Sequence, residues 1–538
     1  MSASLATGRG YRILSEPGAI QAVQYPPLLP AIGALYMRMV GSTDPSVVGP
    51  WLRLTACAMY LAYIAAVFGM SLRVVKPVYA LVVGLITAMH VQTVFMSDFF
   101  AADVPFALFT TLFFLVAAWR RHGAETSFKR HGALEGGLAV AAFALRTAGV
   151  ALLAAWIVES VLDRRAPQVL ARLAVTIAAV TSWQLYVAHV RAGPEYQHPA
   201  YAYQRADYQF YNVGYGENMR YVDTFRPELG RVTSIGMVWR ALENSLSVPL
   251  SVGEAVTNRK GWWEVRIEKW NQKAPALALP VTAADVVTAS LSVPVAVGLV
   301  LLAARGYWLL VLYTAGALTL IALTPWPGQF SRYLIPVAPV LALAMMYLVA
   351  ELMRWLRPRA GRWLGASRLA IGGAVAFLLL QQVYTLYATL AYHHEMSFYT
   401  AEGRRHEYPL LFYDRIWRLH DEALDWLAHH SHPGEVVATS TPHRAYLRTG
   451  LPAIMPPFEA DPAVAQKLVD AVPITYLIVD HLNFIDVGRR YTIPLIAAAP
   501  DRWSLVYFAN DTGPRIYRRV VPLAARRVAA PSPMVKVR

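Results

Sequence analysis

The chain has 538 residues, of which 56% are hydrophobic and only 15% charged, and its mean hydropathy is +0.37. Those proportions exclude an ordinary soluble domain and point to a polytopic membrane protein. The formal net charge of +15 would suggest nucleic acid in a soluble protein, but here Lys and Arg cluster in short segments between apolar runs, where they set topology, and no nucleic-acid partner is expected.

The single cysteine, Cys57, excludes an internal disulfide. The start, Met1 to Gly10, is short, small and polar and lacks the apolar core of a cleavable signal peptide, so the first span is expected to act as the insertion signal. Residues 1–25 are turn-rich. Tyr25-Pro26-Pro27-Leu28-Leu29-Pro30 then opens an apolar run to Val40, roughly 15 residues against the roughly 17 to 25 that cross a bilayer. Residues 1–50 therefore read as an outer-face loop followed by an interfacial helix. Tyr25, Pro26 and Pro27 form a rigid turn first, because the prolines fix φ, and a substrate-loop candidate second.

Membrane spans are predicted at 51–70, 77–96, 104–119, 169–190, 281–303, 307–324, 332–353 and 369–391. The run 134–162 is long for one helix and carries Arg146 at its middle. Arg120, Arg121, Lys129 and Arg130 precede it, and Arg164, Arg165 and Arg172 follow it; the positive-inside tendency wants both groups in the cytoplasm. Two short helices, 134–146 and 148–162, satisfy that and lift Arg146 to the outer surface. The total is about ten membrane helices, the core running from 51 to 395. The remaining short basic connections, Arg73 with Lys76, Arg305, and Arg354 to Arg368, then fall on the inner side.

The outer side receives Asp98 and Asp103, Arg146, the 191–280 segment, the 325–332 loop and everything after Tyr392. Within 191–280, Trp262, Trp263 and Trp270 interleave with Lys260, Arg266 and Lys269, the pattern of an interfacial helix anchored by tryptophan and snorkelling cations in contact with membrane lipids. Residues 396–522 have the composition of a small α/β domain, with a helix near 421–429, strands at 435–439 and 474–479, and a hairpin pairing 505–508 with 516–518. The tail 523–538, rich in Ala, Pro and Arg, is expected to be disordered.

Leu5 to Tyr11 with Tyr25 to Pro30, then Asp103-Val104-Pro105-Phe106, then Arg146-Thr147-Ala148-Gly149, then Arg332-Tyr333-Leu334-Ile335-Pro336, resemble in their order the bacterial glycosyltransferases of the dolichyl-phosphate-mannose-protein mannosyltransferase type, which include the aminoarabinose transferase of lipid A. The resemblance covers the chain to about residue 395. It implies a GT-C fold, here an all-α membrane protein with a C-terminal extracytoplasmic α/β domain. It also implies a sugar donor carried on a polyprenyl phosphate, and inverting transfer to an acceptor hydroxyl, on a lipid, glycan or protein, at the outer face of the inner membrane. Relatives carry a first span and an acidic motif ahead of the segment matching Leu5 to Tyr11; this sequence begins downstream of both, either because the true start lies upstream or because the chain is a natural truncation.

Such chemistry needs a base for the acceptor hydroxyl and cations for the departing phosphate. Asp103 is the first candidate base, matching the acidic-x-Pro position of the resemblance, and Asp98 the second. Asp103-Val104-Pro105 also reads as a helix start that needs no catalysis. Should the missing acidic residue of the relatives be the base, Asp103 would orient the acceptor or support a metal. Arg146 and Arg332, with Tyr333 beside the latter, are the phosphate-binding candidates, since guanidinium matches phosphate oxygens with paired donors; snorkelling to headgroups is the alternative. His393, His394 and Glu395 could ligate a metal but read first as a solvated loop, and nothing resembles a Gly-rich phosphate loop or dinucleotide fingerprint, so no cofactor is identified and a divalent metal has no support. Two other classes fit less well: a transporter with a re-entrant gate at 134–162, which would require internal repeats, and a non-catalytic binder of lipid-linked sugar.

Overall fold

The computed structural model describes residues 1–122, 128–257, 260–280, 282–356, 362–391, 394–399, 405–411 and 413–520. His393 and the tail 523–538 lie outside them. The chain divides into two compact units, one of residues 53–182 and 236–392, the other of 1–52, 183–235 and 393 onward.

Leaving aside the short helices Ser2–Ala6, Pro194–Gln197 and Tyr215–Asn218, the helices up to residue 390 are in chain order α1 (Leu28–Val40), α2 (Pro45–Ser71), α3 (Pro77–Met89), α4 (Val91–Ser97), α5 (Asp103–His122), α6 (Phe128–Leu145), α7 (Val150–Leu162) and α8 (Ala166–Ala192). There follow α9 (Ser234–Val256), α10 (Lys260–Lys273), α11 (Ala283–Ser290), α12 (Ser292–Ala304), α13 (Trp308–Ala322), α14 (Phe330–Tyr333), α15 (Ala338–Leu356) and α16 (Arg362–Leu390). Among the described residues six of these stretches are long and apolar enough to cross a membrane, with α11 and α12 counted as one, and a seventh is the pair α3 and α4, bent by 59° at His90. The chain is a multi-pass membrane protein.

Three stretches depart from the predicted spans, two of them for a local cause. The 77–96 run breaks because His90 is extended (φ −66°, ψ 109°), its buried ring held 2.9 Å from Thr93 Oγ1. The 307–324 run shortens to α13, 15 residues. The span expected at 332 begins only at Ala338, because residues 334–337 turn around Pro336, which has no N–H to continue a helix. That turn separates Arg332 from the span and leaves it on the short α14, and Tyr63 of α2 pins the turn by donating to the Ile335 carbonyl at 3.0 Å.

Small residues let the bundle close. At Gly298 of α12 any Cβ would run into the Ala344 carbonyl of α15, so glycine is what permits that approach. On α10, Arg266 lies over the rings of Trp262 and Tyr384, 4.8 and 4.9 Å from their centroids.

The second unit contains β1 (His394–Tyr399) paired antiparallel with β2 (Arg405–Leu410), so His394 and Glu395 belong to a strand. After α17 (Arg415–His430), capped by Asp414 accepting from Trp417 N at 3.0 Å, come β3 (Val436–Ala438), α18 (Pro442–Thr449), β4 (Ala453–Ile454), α19 (Pro462–Asp470), β5 (Ile474–Val479), β6 (Trp503–Phe508) and β7 (Arg515–Arg519). The sheet order is β4-β3-β5-β7-β6, with β3, β4 and β5 parallel and β7 antiparallel to both β5 and β6. Strand β5 is buried along nearly its whole length, as a central strand covered on both faces must be. Tyr201 and Tyr203 pack into one face of this core, with Val436, Ile454, Leu477 and Trp503. The loop at 13–22 belongs to the same unit: Ala453 N donates to the Ser15 carbonyl at 2.7 Å.

Candidate active site

The helix start at Asp103, the break at Arg146 and the turn at Arg332 meet. Arg146 is extended (φ −148°, ψ 134°) between α6 and α7, and the chain re-enters helix through the short turn Thr147–Gly149. Glycine is required at 149, since a Cβ there would lie 2.7 Å from the Phe143 backbone. The Asp103 carboxylate is fully buried. Its Oδ1 accepts from Arg146 Nη1 at 2.5 Å and Arg332 Nε at 3.1 Å, and its Oδ2 from Arg332 Nη2 at 2.9 Å. The Arg332 side chain keeps 36% of its surface exposed and that of Arg146 13%. The ring of Tyr333 carries the Arg146 guanidinium 5.5 Å from its centroid.

One buried anion thus holds two cations. Burying a carboxylate in a membrane bundle is costly unless paired, and removing either arginine would leave that cost partly uncompensated. Asp98 pairs with a different arginine. Its carboxylate, almost fully buried, is held by Arg53 of α2, with Nε at 3.0 Å and Nη2 at 2.7 Å, which ties the 98–102 loop to that helix.

Tyr25, Pro26 and Pro27 lie in the other unit. There Tyr25 packs against Tyr211 and Tyr215, with centroids at 6.5 and 5.6 Å, and its carbonyl accepts from the Tyr11 hydroxyl at 3.0 Å. In the same unit, burial pushes Glu16 above the ordinary glutamate range while Tyr201 donates to it at 2.7 Å. Burial, with the Met1 amine adding to it, pushes His443 down to about 4.

Sequence reasoning missed a second charged cluster, at the opposite end of α5. Arg120 pairs with Glu135 of α6 at 2.5 Å and Glu159 of α7 at 3.0 Å, and Arg172 of α8 pairs with the same two glutamates at 3.5 and 2.9 Å. Trp156 Nε1 donates to Glu135 at 2.8 Å and offers its ring to Arg172 at 4.9 Å. Both arginines read in sequence as topology signals. The signal that marks them out is Glu135 and Glu159, carboxylates inside apolar runs that have to find a cation.

Among the described residues no group of three or more His, Cys, Asp or Glu side chains is gathered as a metal-ligand set. No protein-family model matches the chain, and no curated protein matches it in sequence. Solved structures do. The Archaeoglobus fulgidus oligosaccharyltransferase tethered to an acceptor peptide superposes with a TM-score of 0.52 at 14% identity, covering 96% of this chain and 69% of that one. ArnT from Cupriavidus metallidurans in the apo state gives 0.52 at 12% identity, covering 96% and 91%. The oligosaccharyltransferase AglB from Archaeoglobus fulgidus, in complex with an inhibitory peptide and a dolichol-phosphate, gives 0.51 at 13%, covering 97% and 70%. At such identities the likeness is one of fold, and it extends over nearly the whole chain: this protein is built on the GT-C fold of membrane glycosyltransferases.

Proposed function

We propose that the chain is a membrane glycosyltransferase that moves a sugar from a polyprenyl-phosphate carrier to an acceptor hydroxyl at the outer face of the inner membrane, with inversion. The observation that carries this reading is the gathering of Arg146 and Arg332, from two separate helix breaks, on the buried carboxylate of Asp103. Paired guanidiniums suit phosphate oxygens, and fixed in advance they stabilise the charge that develops on a departing phosphate without reorganising. The dolichol-phosphate in the AglB structure shows a fold neighbour binding a lipid of that class.

In the reaction the acceptor oxygen attacks the anomeric carbon from the face opposite the phosphate, the bond from carbon to phosphate oxygen breaks, and polyprenyl phosphate leaves between the arginines. The acceptor proton goes to a carboxylate, for which Asp103 is the candidate. Its Oδ1 accepts two guanidinium hydrogen bonds and its Oδ2 one, so Oδ2 is the oxygen with a lone pair left for the proton. Asp98, held by Arg53, is the second candidate.

A second reading is supported by the same occupancy of Asp103: a protein that binds lipid-linked sugar through its arginines without turning it over. Incubation of the purified full chain with polyprenyl-phosphate sugars separates the two. Transfer or hydrolysis that is lost in Asp103→Asn, with donor binding retained, supports the enzyme; donor binding with no turnover supports the binder; neither binding nor turnover overturns both.

A further inference from the structure

Helix α9 turns an apolar face away from the protein. Val238, Trp239, Leu242 and Leu246 are all exposed, Leu246 most of all at 83%. At about 3.6 residues per turn these side chains fall within an arc of roughly 100°. Asn244, the buried residue ahead of Pro249, lies on the opposite side of the helix. Exposed polar residues border the stripe, Ser245 along one edge and Glu243 along the other. A helix whose outer side met water would carry its polar residues where these apolar ones stand.

Asn244 fixes where this face sits. Its Nδ2 donates to the Ala322 carbonyl at 2.8 Å and to the Thr324 carbonyl at 2.9 Å, at the C-terminal end of the apolar helix α13. Beyond Pro249 the helix is packed: Ser251, Val252, Gly253, Ala255 and Val256 are buried, and a Cβ on Gly253 would run into the Thr288 carbonyl of α11. The stretch formed by α11 and α12 is apolar enough to cross a membrane and turns Val286, Val293 and Val300 outward. With 23 residues α9 has the length of a span, but it is not among the stretches apolar enough to be one. Its apolar face is thus held beside a span and against the end of an apolar helix, the level at which hydrocarbon gives way to headgroups.

We infer that this stripe docks on the bilayer, the part of α9 ahead of Pro249 lying along the membrane surface with Val238, Trp239, Leu242 and Leu246 in the acyl boundary of one leaflet. A second copy or another protein is the competing occupant. A stable protein interface takes roughly 20–30 residues a side, far more than one narrow stripe supplies, whereas acyl chains cover apolar side chains without needing a matching shape. Trp239 is of the residue type that gathers at this boundary. The lipid contact is also continuous with that of the neighbouring span, since α9 packs on α11 and the exposed valines of α11 and α12 face the same hydrocarbon. Through Asn244 the docked helix ties residues 322–324, ahead of Arg332, to the membrane surface. The inference stands whether or not the chain transfers sugar.

The test is spin labelling of the full chain in vesicles of phosphatidylethanolamine and phosphatidylglycerol. In a Cys57→Ser background, single nitroxides are attached at Val238→Cys, Leu242→Cys and Leu246→Cys in the stripe, at Val300→Cys on α12 as the lipid reference, and at Asp511→Cys in the sheet-containing unit as the water reference. Power saturation compares collisions with oxygen, which concentrates in hydrocarbon, and with a nickel chelate, which stays in water. The ratio of oxygen to nickel collisions at the stripe labels is expected to lie near that at position 300 and several-fold above that at position 511. A ratio closer to that at 511 means that the stripe faces water. Shelter from both reagents, or spin–spin broadening between copies, means that protein covers it. Either result overturns the inference.

Discussion

Asp103 is fully buried. It is spent on two arginines, one of them well enough exposed to meet a ligand. Arg332→Gln is therefore expected to lower kcat by about 10²–10³-fold, the effect of removing one fixed donor from a developing anion, with the donor KM moving less. Steady-state kinetics with a polyprenyl-phosphate sugar check this, and a change confined to KM would assign Arg332 to ground-state binding alone. His443 gives a prediction of a different kind. With its folded pKa near 4, below the usual 6.5 of histidine, the unfolded chain binds more protons between those values. Stability is fully present above pH 6.5 and is lost as pH falls toward 4. His443→Gln, which can still accept from Ser15, should flatten that acid-side loss, read as thermal midpoint against pH.

At the scale of elements, the break between α6 and α7 was legible because charge and length conflicted: one crossing through 134–162 would have put basic groups on both sides. What the sequence could not show is that Gly149 sits against the Phe143 backbone. Gly149→Ala must push the turn away and carry Arg146 with it. Since a displacement of about 1 Å at a reacting group costs on the order of 100-fold, kcat/KM should fall by about that factor while the chain still inserts and folds. An unchanged kcat/KM would show that the position of Arg146 does not matter. The same limit explains the other misses. Glu135 and Glu159 signal in sequence that a cation must be near, but only the packing of α5 to α8 shows that Arg120 and Arg172 supply it while Arg164 and Arg165 do not pair with these glutamates among the described contacts. Strand β4, two residues long, is too short for a period to declare itself, whereas β3 and β5 read plainly as buried apolar runs. That Tyr201 and Tyr203 would join the core of a sheet more than 200 residues later has no local signal at all.

For the whole molecule, the two charged clusters stand at the two ends of α5. Seventeen residues separate Asp103 from Arg120, about 26 Å at 1.5 Å per residue, which is close to the thickness of a bilayer core. One cluster is cation-rich and partly open through Arg332; the other balances two arginines with two glutamates and is nearly closed, Glu159 keeping 17% of its side chain exposed. Glu135→Gln should cost roughly 3–5 kcal/mol by leaving Arg120 short of its partner, and should do so without touching the phosphate site. The clusters should then face opposite compartments, which cysteine labelling can decide. The exposed Cys57 is first replaced by Ser, and Ala101→Cys and Arg165→Cys are introduced singly beside the open and the closed cluster. A membrane-impermeant maleimide added to intact cells is expected to label position 101, and to reach position 165 only after permeabilisation. The reverse pattern would put the arginine pair in the cytoplasm and end the reading of transfer at the outer face. Labelling of both from one side would mean that α5 does not cross, and the separation of an open, phosphate-seeking end from a closed, structural one would fail with it.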